Sequence, residues 1–595
     1  MSTEVKTKAK RLTIKSLWRS MPTIMWYTLL TKPFLVLLVG GGRFLIDLVL
    51  KLNGRSVITW SDIHFLLLSP GGWLVMVLFV TILAIYLVFD LHVTLVYCQD
   101  LLAARRRHWW EVLWQAAQAL PRLLNWRGLI VIIFIGLVTP LVGTNLSISL
   151  TRRLQLPNFI AAVIDTTPSY ALAYYSLMAV LAVVGVVHIF LLPGVVLDGL
   201  SVRQAAVRSR ALMKKYFRNY LWQKFLFFLL LIGYGCLVFV GLIGVILVAS
   251  WLMRETPIAL EVYSTLLAWL FASFGTYLAI NWNILLTVHL YCTYRDGYAY
   301  EWDLLPKKAS WWLLLLTLAG SFLLIPVCSP LVDLGEQYFA NLTDAVIVAH
   351  RAGGHASVEN SLSGLRRSIE LGFPAAEFDI QRTADGIYVV NHDVTFKRMA
   401  GVDKKVTDMT LAEIRQLCLR DARAIDGECE PVPTLDEFLD TADKKLILFI
   451  ELKGETADEQ MVDDVVTALR ARGFDDTHYL LSIERSPIVY ANTTYPDINS
   501  VYNGLATYGD LSGLPGQIIA LEESAMTTSV IDKIHQLGKK AMVWTPNSEQ
   551  SLRRWLVSAV DYVLTDEPDL ARQLQEQIHT MTLLEKIQLM LNNSQ

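Results

Sequence analysis

Residues 349–393 read AHRAGGHASVENSLSGLRRSIELGFPAAEFDIQRTADGIYVVNHD, and the rest of the chain is best understood outward from them. The apolar run Ala345 to Ala349 reads as a buried strand that delivers His350 and Arg351 at its C-terminal end. Ser361 to Leu371 has helical periodicity, with Leu362, Leu365 and Ile369 on one face and Gly372 as a stop. Ala375 to Ile380 reads as a second strand, on which Glu377 and Asp379, two apart, project from one face. The turn Ala384-Asp385-Gly386 leads into a third strand, Ile387 to Asn391, ending on His392 and Asp393. Histidines and carboxylates at the ends of neighbouring strands converge if those ends form the active face of a barrel or sheet. Hard oxygen donors favour Mg²⁺ or Ca²⁺ over zinc.

Farther along, Leu446 to Glu451 is another apolar strand, and it carries Glu451 and Lys453 on one face. Three carboxylates, Glu377, Asp379 and Glu451, suffice for one divalent ion with positions left open for water and a substrate oxygen. Arg351 and Lys453 would balance the charge of an anionic group bound beside them. Candidate strands recur at 345–349, 375–380, 387–391, 446–452, 478–483, 498–502, 517–521, 540–545 and 561–565. Helical patterns lie between most of them, including 458–472, 529–537 and 548–557. The roughly 255 residues after Asn341 match one (β/α)₈ barrel.

This stretch resembles the glycerophosphodiester phosphodiesterase family. The family's His-Arg-Gly opening appears as His350-Arg351 with Ala352 before Gly353, its Pro-Glu-Asn-Thr as Val358-Glu359-Asn360-Ser361, its Glu-x-Asp as Glu377-Phe378-Asp379, and its His-Asp-x-Thr as His392-Asp393-Val394-Thr395. Val432-Pro433-Thr434-Leu435, Glu451-Leu452-Lys453, Val543-Trp544-Thr545-Pro546-Asn547 and Thr565-Asp566-Glu567-Pro568 follow in family order, so the likeness spans about 345–574. It implies a metal-dependent hydrolase that cleaves a glycerophosphodiester to an alcohol and glycerol 3-phosphate. His350 and His392 would be the acid and base pair, and Arg351, Lys453 and Trp544 would bind substrate. Glu359 and Asn360 would stand close behind the metal ligands. Asp393 and Asp566 have a lesser claim, as caps or turn residues. Ala352 lengthens the first loop and brings His355 near, and Val358 replaces the family's proline; both changes bear on the phosphate contacts of that loop. The long connection 395–439, read as carrying a helix over 411–419, is expected at the barrel mouth, where the family has an insertion.

The rest of the chain is of another kind. Of 595 residues, 54% are hydrophobic and only 18% charged; mean hydropathy is +0.42, as for a membrane protein carrying a soluble domain. A net charge of −2 points to no nucleic acid or other polyanionic partner. After a basic N-terminus, residues 1–22, read as uncleaved, a membrane domain is expected over 23–335. Seven apolar segments approach or exceed the roughly 20 residues a bilayer requires, at 27–50, 73–96, 128–146, 171–197, 225–252, 265–291 and 310–327. Gly41 and Pro193 are candidate kinks. The barrel would follow over 341–575, with a helical tail over 576–595.

Basic residues orient the spans. The N-terminus, the 97–127 connection (Arg105, Arg106, Arg107, Arg122, Arg127) and the 198–224 connection (Arg203, Arg208, Arg210, Lys214, Lys215, Arg218, Lys224) fall on one side, while the opposite connections hold few. The positive-inside rule puts that side in the cytoplasm, and seven crossings put the barrel outside a bacterial inner membrane. Cys418 and Cys429 flank a short loop, and an oxidising space would permit a disulfide between them. The stretches 108–126 and 201–222 mix basic residues with tryptophan and tyrosine, as segments at the bilayer headgroups do. A barrel held at a membrane favours lipid-borne substrates, including lysophospholipids, or cell-wall polymers. The competing reading makes the membrane domain primary, a lipid-binding or transport module with a non-catalytic sensor barrel; polar residues in mid-span would favour it, and Arg43, His188, Asn281 and Asn283 come nearest.

Overall fold

The computed structural model describes residues 14–593, apart from 56, 60–62, 104, 106, 124, 142–163, 165–166, 253–256, 297–318, scattered positions between 321 and 343, 421–428, 475–476 and 506. The chain forms two compact units.

The first unit is helical: Ile14–Leu52, Pro70–Leu102, Trp109–Leu123, Trp126–Leu141, Pro168–Val187, Leu191–Leu197, Val202–Leu252 and Pro257–Asp296. Among the described residues, Pro168–Leu197, Val202–Leu252 and Ile258–Asp296 are long and apolar enough to cross a membrane. The expected spans at 27–50 and 73–96 fall on helices; those at 128–146 and 310–327 lie partly and mostly outside the described residues. Leu237, Phe239 and Val240 are exposed while Gln223 and Asn281 are buried, an inversion suited to lipid. Tyr97 donates to Asn281 Oδ1 at 2.9 Å, and Lys224 donates to Asn283 Oδ1 at 2.5 Å and Thr287 at 3.0 Å. Both span asparagines are therefore occupied in helix-to-helix contacts.

Three expectations for this unit change. Residues 202–224 are not a loop but the first six turns of the 51-residue helix Val202–Leu252. No glycine or proline interrupts them, and Val202, Ala205, Ser209, Met213 and Tyr220 bury one face at helical spacing. Gly41 lies inside an unbroken helix. The break near Pro193 falls earlier, at His188–Phe190, which leaves Pro193 in the first turn of Leu191–Leu197, where its missing N–H costs nothing. Trp109–Leu123 is amphipathic, burying Val112, Ala116, Ala119 and Leu123 and exposing Trp109, Trp110 and Trp114.

The second unit is the barrel, with residues 49–73 added to it. Its strands, in chain order, are β1 Val57–Thr59, β2 Val346–Ala349, β3 Ala375–Arg382, β4 Tyr388–Val390, β5 Ile447–Leu452, β6 Tyr479–Ser482, β7 Asn499–Gly504, β8 Thr507–Gly509, β9 Ile518–Glu522, β10 Lys540–Trp544 and β11 Tyr562–Thr565. Eight of them, β2-β3-β5-β6-β7-β9-β10-β11, run parallel and close through β11 on β2. Val348, Phe449, Leu481, Val501, Ala520 and Met542 fill the interior. Outside, Phe378, Ile380, Leu448 and Ile450 pack under Leu365, Phe438, Val465 and Leu469 of the surrounding helices.

The ninth expected strand, β4, is not a stave. It returns antiparallel along β3, with Ile380 opposite Val390 and Arg382 opposite Tyr388. β3 overshoots the rim, the Asp385-Gly386 turn reverses it, and β4 carries the chain back, so His392 arrives from outside the barrel. The helix expected at 361–371 is Leu362–Glu370, capped by the Ser361 hydroxyl accepting from the Gly364 amide, and Gly372 closes it at φ 69°. In the long connection the helix stops at Ile414 rather than 419, and Leu419 then bridges to Glu430. Cys418 and Cys429 are disulfide-bonded. The tail is the end of helix Pro568–Thr580 followed by helix Leu583–Asn593.

Candidate active site

Parallel pairing sets the heart of the site. β3 and β5 align Asp379 with Glu451 and Glu377 with Phe449, so Glu377, Asp379 and Glu451 share the rim and offer oxygens all within 4.8 Å of one another. All three are buried. Burial, with Asp379 beside it, pushes the Glu377 carboxyl up to about 8. Glu377 Oε1 has no hydrogen-bond partner among the described residues. Three buried carboxylates with an orphaned oxygen at their centre are an arrangement that a divalent cation completes, and hard oxygen donors suit one.

Lys453 bridges two of them, donating to Glu451 Oε2 at 2.9 Å and lying 3.0 Å from Asp379 Oδ1. Asn360, at φ 56°, donates to Asp379 Oδ2 at 2.9 Å, and the Arg351 amide donates to Glu377 Oε2 at 3.0 Å. The Arg351 guanidinium donates to both Glu359 oxygens, at 3.0 and 2.9 Å, while its buried Nε has no partner among the described residues. Asp379 is held well below the usual carboxylate range: Lys453, His392, Arg351 and Asn360 outweigh its desolvation.

Each histidine has its own carboxylate. His350 Nδ1 donates to Asp566 Oδ1 at 2.7 Å, and its Nε2 lies 3.8 Å from Glu377. Burial alone would lower its pKa, but Asp566 and Glu377 win and raise it above 6.5. Asp566 is itself fixed by Asn547 Nδ2 at 2.7 Å. His392, the more open of the two, donates through Nδ1 to Asp393 Oδ1 at 2.8 Å. Trp544, half-buried at the end of β10, lies level with Glu522 across the strand pair. Every residue expected to bind metal, move protons or contact phosphate comes to this one rim.

The structure adds residues that the sequence reading missed or underrated. Arg398, on the short helix Lys397–Ala400, donates to Asp393 Oδ2 at 2.8 Å and to Glu359 at 2.5 and 2.9 Å. One chain of ion pairs thus runs His392–Asp393–Arg398–Glu359–Arg351. Gln381 Nε2 donates to the carbonyls of Asn391 and Asp393 at 2.8 Å, bracing the turn under His392. Asn503, at the end of β7, donates to Glu451 Oε1 at 3.4 Å. Asp566 is no mere cap but the partner of His350. A polar residue ending a predicted strand was the available signal for Asn503; nothing local marked Arg398.

The extra residue in the first loop is accommodated by backbone: Arg351 and Ala352 take φ 50° and 75°. Gly354, at φ 62°, lies so near Asp566 that a Cβ would stand 2.3 Å from its carbonyl oxygen.

A parallel eight-stranded barrel with a buried carboxylate triad, two carboxylate-held histidines and a lysine and arginine beside them is a metal-dependent hydrolase of the phosphodiester-cleaving class. A family profile described as "Membrane domain of glycerophosphoryl diester phosphodiesterase" matches residues 10–299, and one described as "Glycerophosphoryl diester phosphodiesterase family" matches residues 350–514. The chain belongs to the glycerophosphodiester phosphodiesterase family, in the form that carries a membrane domain ahead of the barrel. A glycerophosphodiester phosphodiesterase of Caldanaerobacter subterraneus is 27% identical over 236 residues, covering 38% of this chain and 95% of that protein. One of Bacillus altitudinis is 22% identical over 241 residues, 39% of this chain and 98% of its own. A phosphodiesterase of Oleispira antarctica, solved with the product sn-glycerol-3-phosphate, aligns at 24% identity with a TM-score of 0.37 over 40% of this chain and 99% of that one.

Proposed function

We propose that this chain hydrolyses glycerophosphodiesters at the outer face of a bacterial cytoplasmic membrane, with Mg²⁺ or Ca²⁺ in the carboxylate triad, on lipid-borne or wall-borne substrates that include lysophospholipids. The observation that carries the catalytic reading is the triad of Glu377, Asp379 and Glu451 flanked by two histidines that each have a carboxylate partner. When bound, the divalent ion supplies positive charge to the phosphate oxygens and to a glycerol hydroxyl. Arg351, through its free Nε, and Lys453 bind the remaining phosphate charge. Of the two histidines, one takes the proton of the attacking oxygen and the other gives a proton to the departing alcohol. His350, whose pKa is raised, suits the donor; His392, nearer solvent, suits the acceptor. Trp544 lines the pocket for the glycerol or the alcohol.

Three observations support the outward orientation. Arginine and lysine concentrate in the 97–127 connection and in the first turns of Val202–Leu252, both on the N-terminal side of the membrane. The bond between Cys418 and Cys429 suits an oxidising space. β1, in the connection after the first helix, belongs to the same compact unit as the barrel, so both lie on one side of the bilayer.

Hydrolysis of glycerophosphocholine and of a lysophospholipid by the purified full-length protein, with Mg²⁺, Ca²⁺ or EDTA, tests the reading. We expect metal-dependent release that EDTA abolishes and that falls by about 10²-fold or more in His392→Ala. Full activity in EDTA would refute the metal assignment, and an unimpaired His392→Ala the proton-transfer role.

A further inference from the structure

Seven of the eight barrel strands are followed by an outer helix: Leu362–Glu370, Leu435–Ala442, Glu459–Arg472, Arg485–Thr494, Thr528–Gln536, Glu549–Leu556 and Pro568–Thr580. The exception is β7, after which, over 505–517, the described residues form only β8 and the single turn Leu511–Gly513. Here the outer faces of β7 and β9 would stand uncovered. A strand from far earlier in the chain lies there instead. β1, in the connection between helices Ile14–Leu52 and Pro70–Leu102, pairs antiparallel with β8: Val57 opposite Gly509, Ile58 opposite Tyr508, Thr59 opposite Thr507. Val57 is 1% exposed and Thr59 3%. Val57 packs into the same apolar cluster as Tyr502, Leu511, Leu514 and Ile519.

The place matters because of what lies just before it. Asn503, whose amide reaches Glu451 Oε1, is the penultimate residue of β7 and lies four residues ahead of β8. Gly504 follows Asn503 directly and closes β7, so the amide's position depends on where β8 is pinned. Without β1, β8 is an edge with no strand partner among the described residues, and Leu511 and Leu514 lose their cover.

We propose that the connection between the first two apolar helices is a working part of the catalytic barrel: β1 stands in for the missing helix, pins β8, and through Asn503 holds Glu451 in the geometry that binds the metal. A segment placed in the chain between the first two apolar helices thereby supplies a positioning element to the active site. This rests on the proposed metal role of Glu451 for its functional arm, but the pairing itself can be tested without it.

The full-length protein with Ile58→Cys and Tyr508→Cys tests the pairing. Directly opposed residues on antiparallel strands bring their Cβ atoms to about 5 Å, so oxidation should link them, giving a faster-migrating band that reductant reverses. No link, in protein that retains the Cys418–Cys429 bond, overturns the proposal. The functional arm uses Val57→Asp, Asn503→Ala and the double variant, read as the Mg²⁺ or Ca²⁺ concentration at half-maximal thermal stabilisation and, separately, at half-maximal hydrolysis. Asn503→Ala should raise both by about 10-fold or more, the scale for a lost partner behind a metal ligand. Val57→Asp should raise both several-fold, and add little once Asn503 is gone, because both act through Glu451. Unchanged metal midpoints in Val57→Asp, or effects that multiply in the double variant, would overturn the coupling. Should Val57→Asp fail to fold, Val57→Ala, which keeps the strand but trims its buried side chain, should raise both midpoints in the same direction, and unchanged midpoints would overturn the coupling. A cross-linked protein with no hydrolysis would refute the enzymatic reading while leaving the structural role of β1 standing.

Discussion

His350 shows how the residues of the site divide between those the sequence announces and those it hides. Its own position is legible, because a polar pair ending an apolar run marks a strand end, and so are Glu377, Asp379 and Glu451, whose spacing of two puts functional groups on one face. Its partner is not: Asp566 lies 216 positions away, and only barrel closure through β11 on β2 brings it near. Arg398 was illegible for the same reason, and Asn503 showed only its place at a strand end, since a residue that acts by touching another needs the fold before it has a role. Asp566 also makes a prediction. It raises the His350 pKa against the lowering effect of burial. A histidine that donates a proton loses activity as pH rises through its pKa, so the wild type should hold its kcat to above pH 6.5. In Asp566→Asn only Glu377 is left to oppose burial, and the fall should begin at lower pH, with kcat reduced throughout; a pH–rate profile on glycerophosphocholine measures both. A high-pH limb that stays in place would assign the proton donation elsewhere.

At the scale of elements, β4 and the connection after it are where the reading from sequence and the structure part. The alternation in Ile387 to Asn391 is a true strand signal, but a parallel stave and an antiparallel flap have the same period, and direction is settled only by the pairing along β3. The flap then hands over to the Lys397–Ala400 helix, whose Arg398 closes the ion-pair chain from His392 to Arg351. The remaining helices were readable because their caps are local: Ser361, Thr434, Asp458, Thr527 and Ser548 each accept from an amide three residues on. Removing Arg398 should therefore act on catalysis more than on stability. Arg398→Ala is expected to lower kcat by about 10- to 100-fold, the range for partners behind a working group, with a smaller rise in KM. Arg398→Lys should recover only part of it, because a single ammonium cannot reach both Asp393 and Glu359 as a guanidinium fork does. Equal losses of kcat and of melting temperature in both variants would make the role purely structural.

For the whole molecule, composition alone separated an apolar first half from a barrel-sized second, because lipid-facing and water-facing chains differ in bulk residue use. What composition could not reveal is that residues 49–73 fold with the barrel; three-residue strands are too short to carry a periodic signal. Sidedness is the prediction that belongs here. A cysteine at the exposed Glu459, introduced into the full chain, should react with a membrane-impermeant maleimide in intact spheroplasts as fully as after lysis; protection until lysis would invert the topology. Finally, the 51 residues of Val202–Leu252 at 1.5 Å each make a rod of about 77 Å, against roughly 30 Å of bilayer hydrocarbon. More than half of it stands outside the lipid tails, its basic end stiffly continuous with its greasy one. Such a rod is a lever with its fulcrum in the headgroups: whatever grips the arginine-rich arm also tilts the apolar arm.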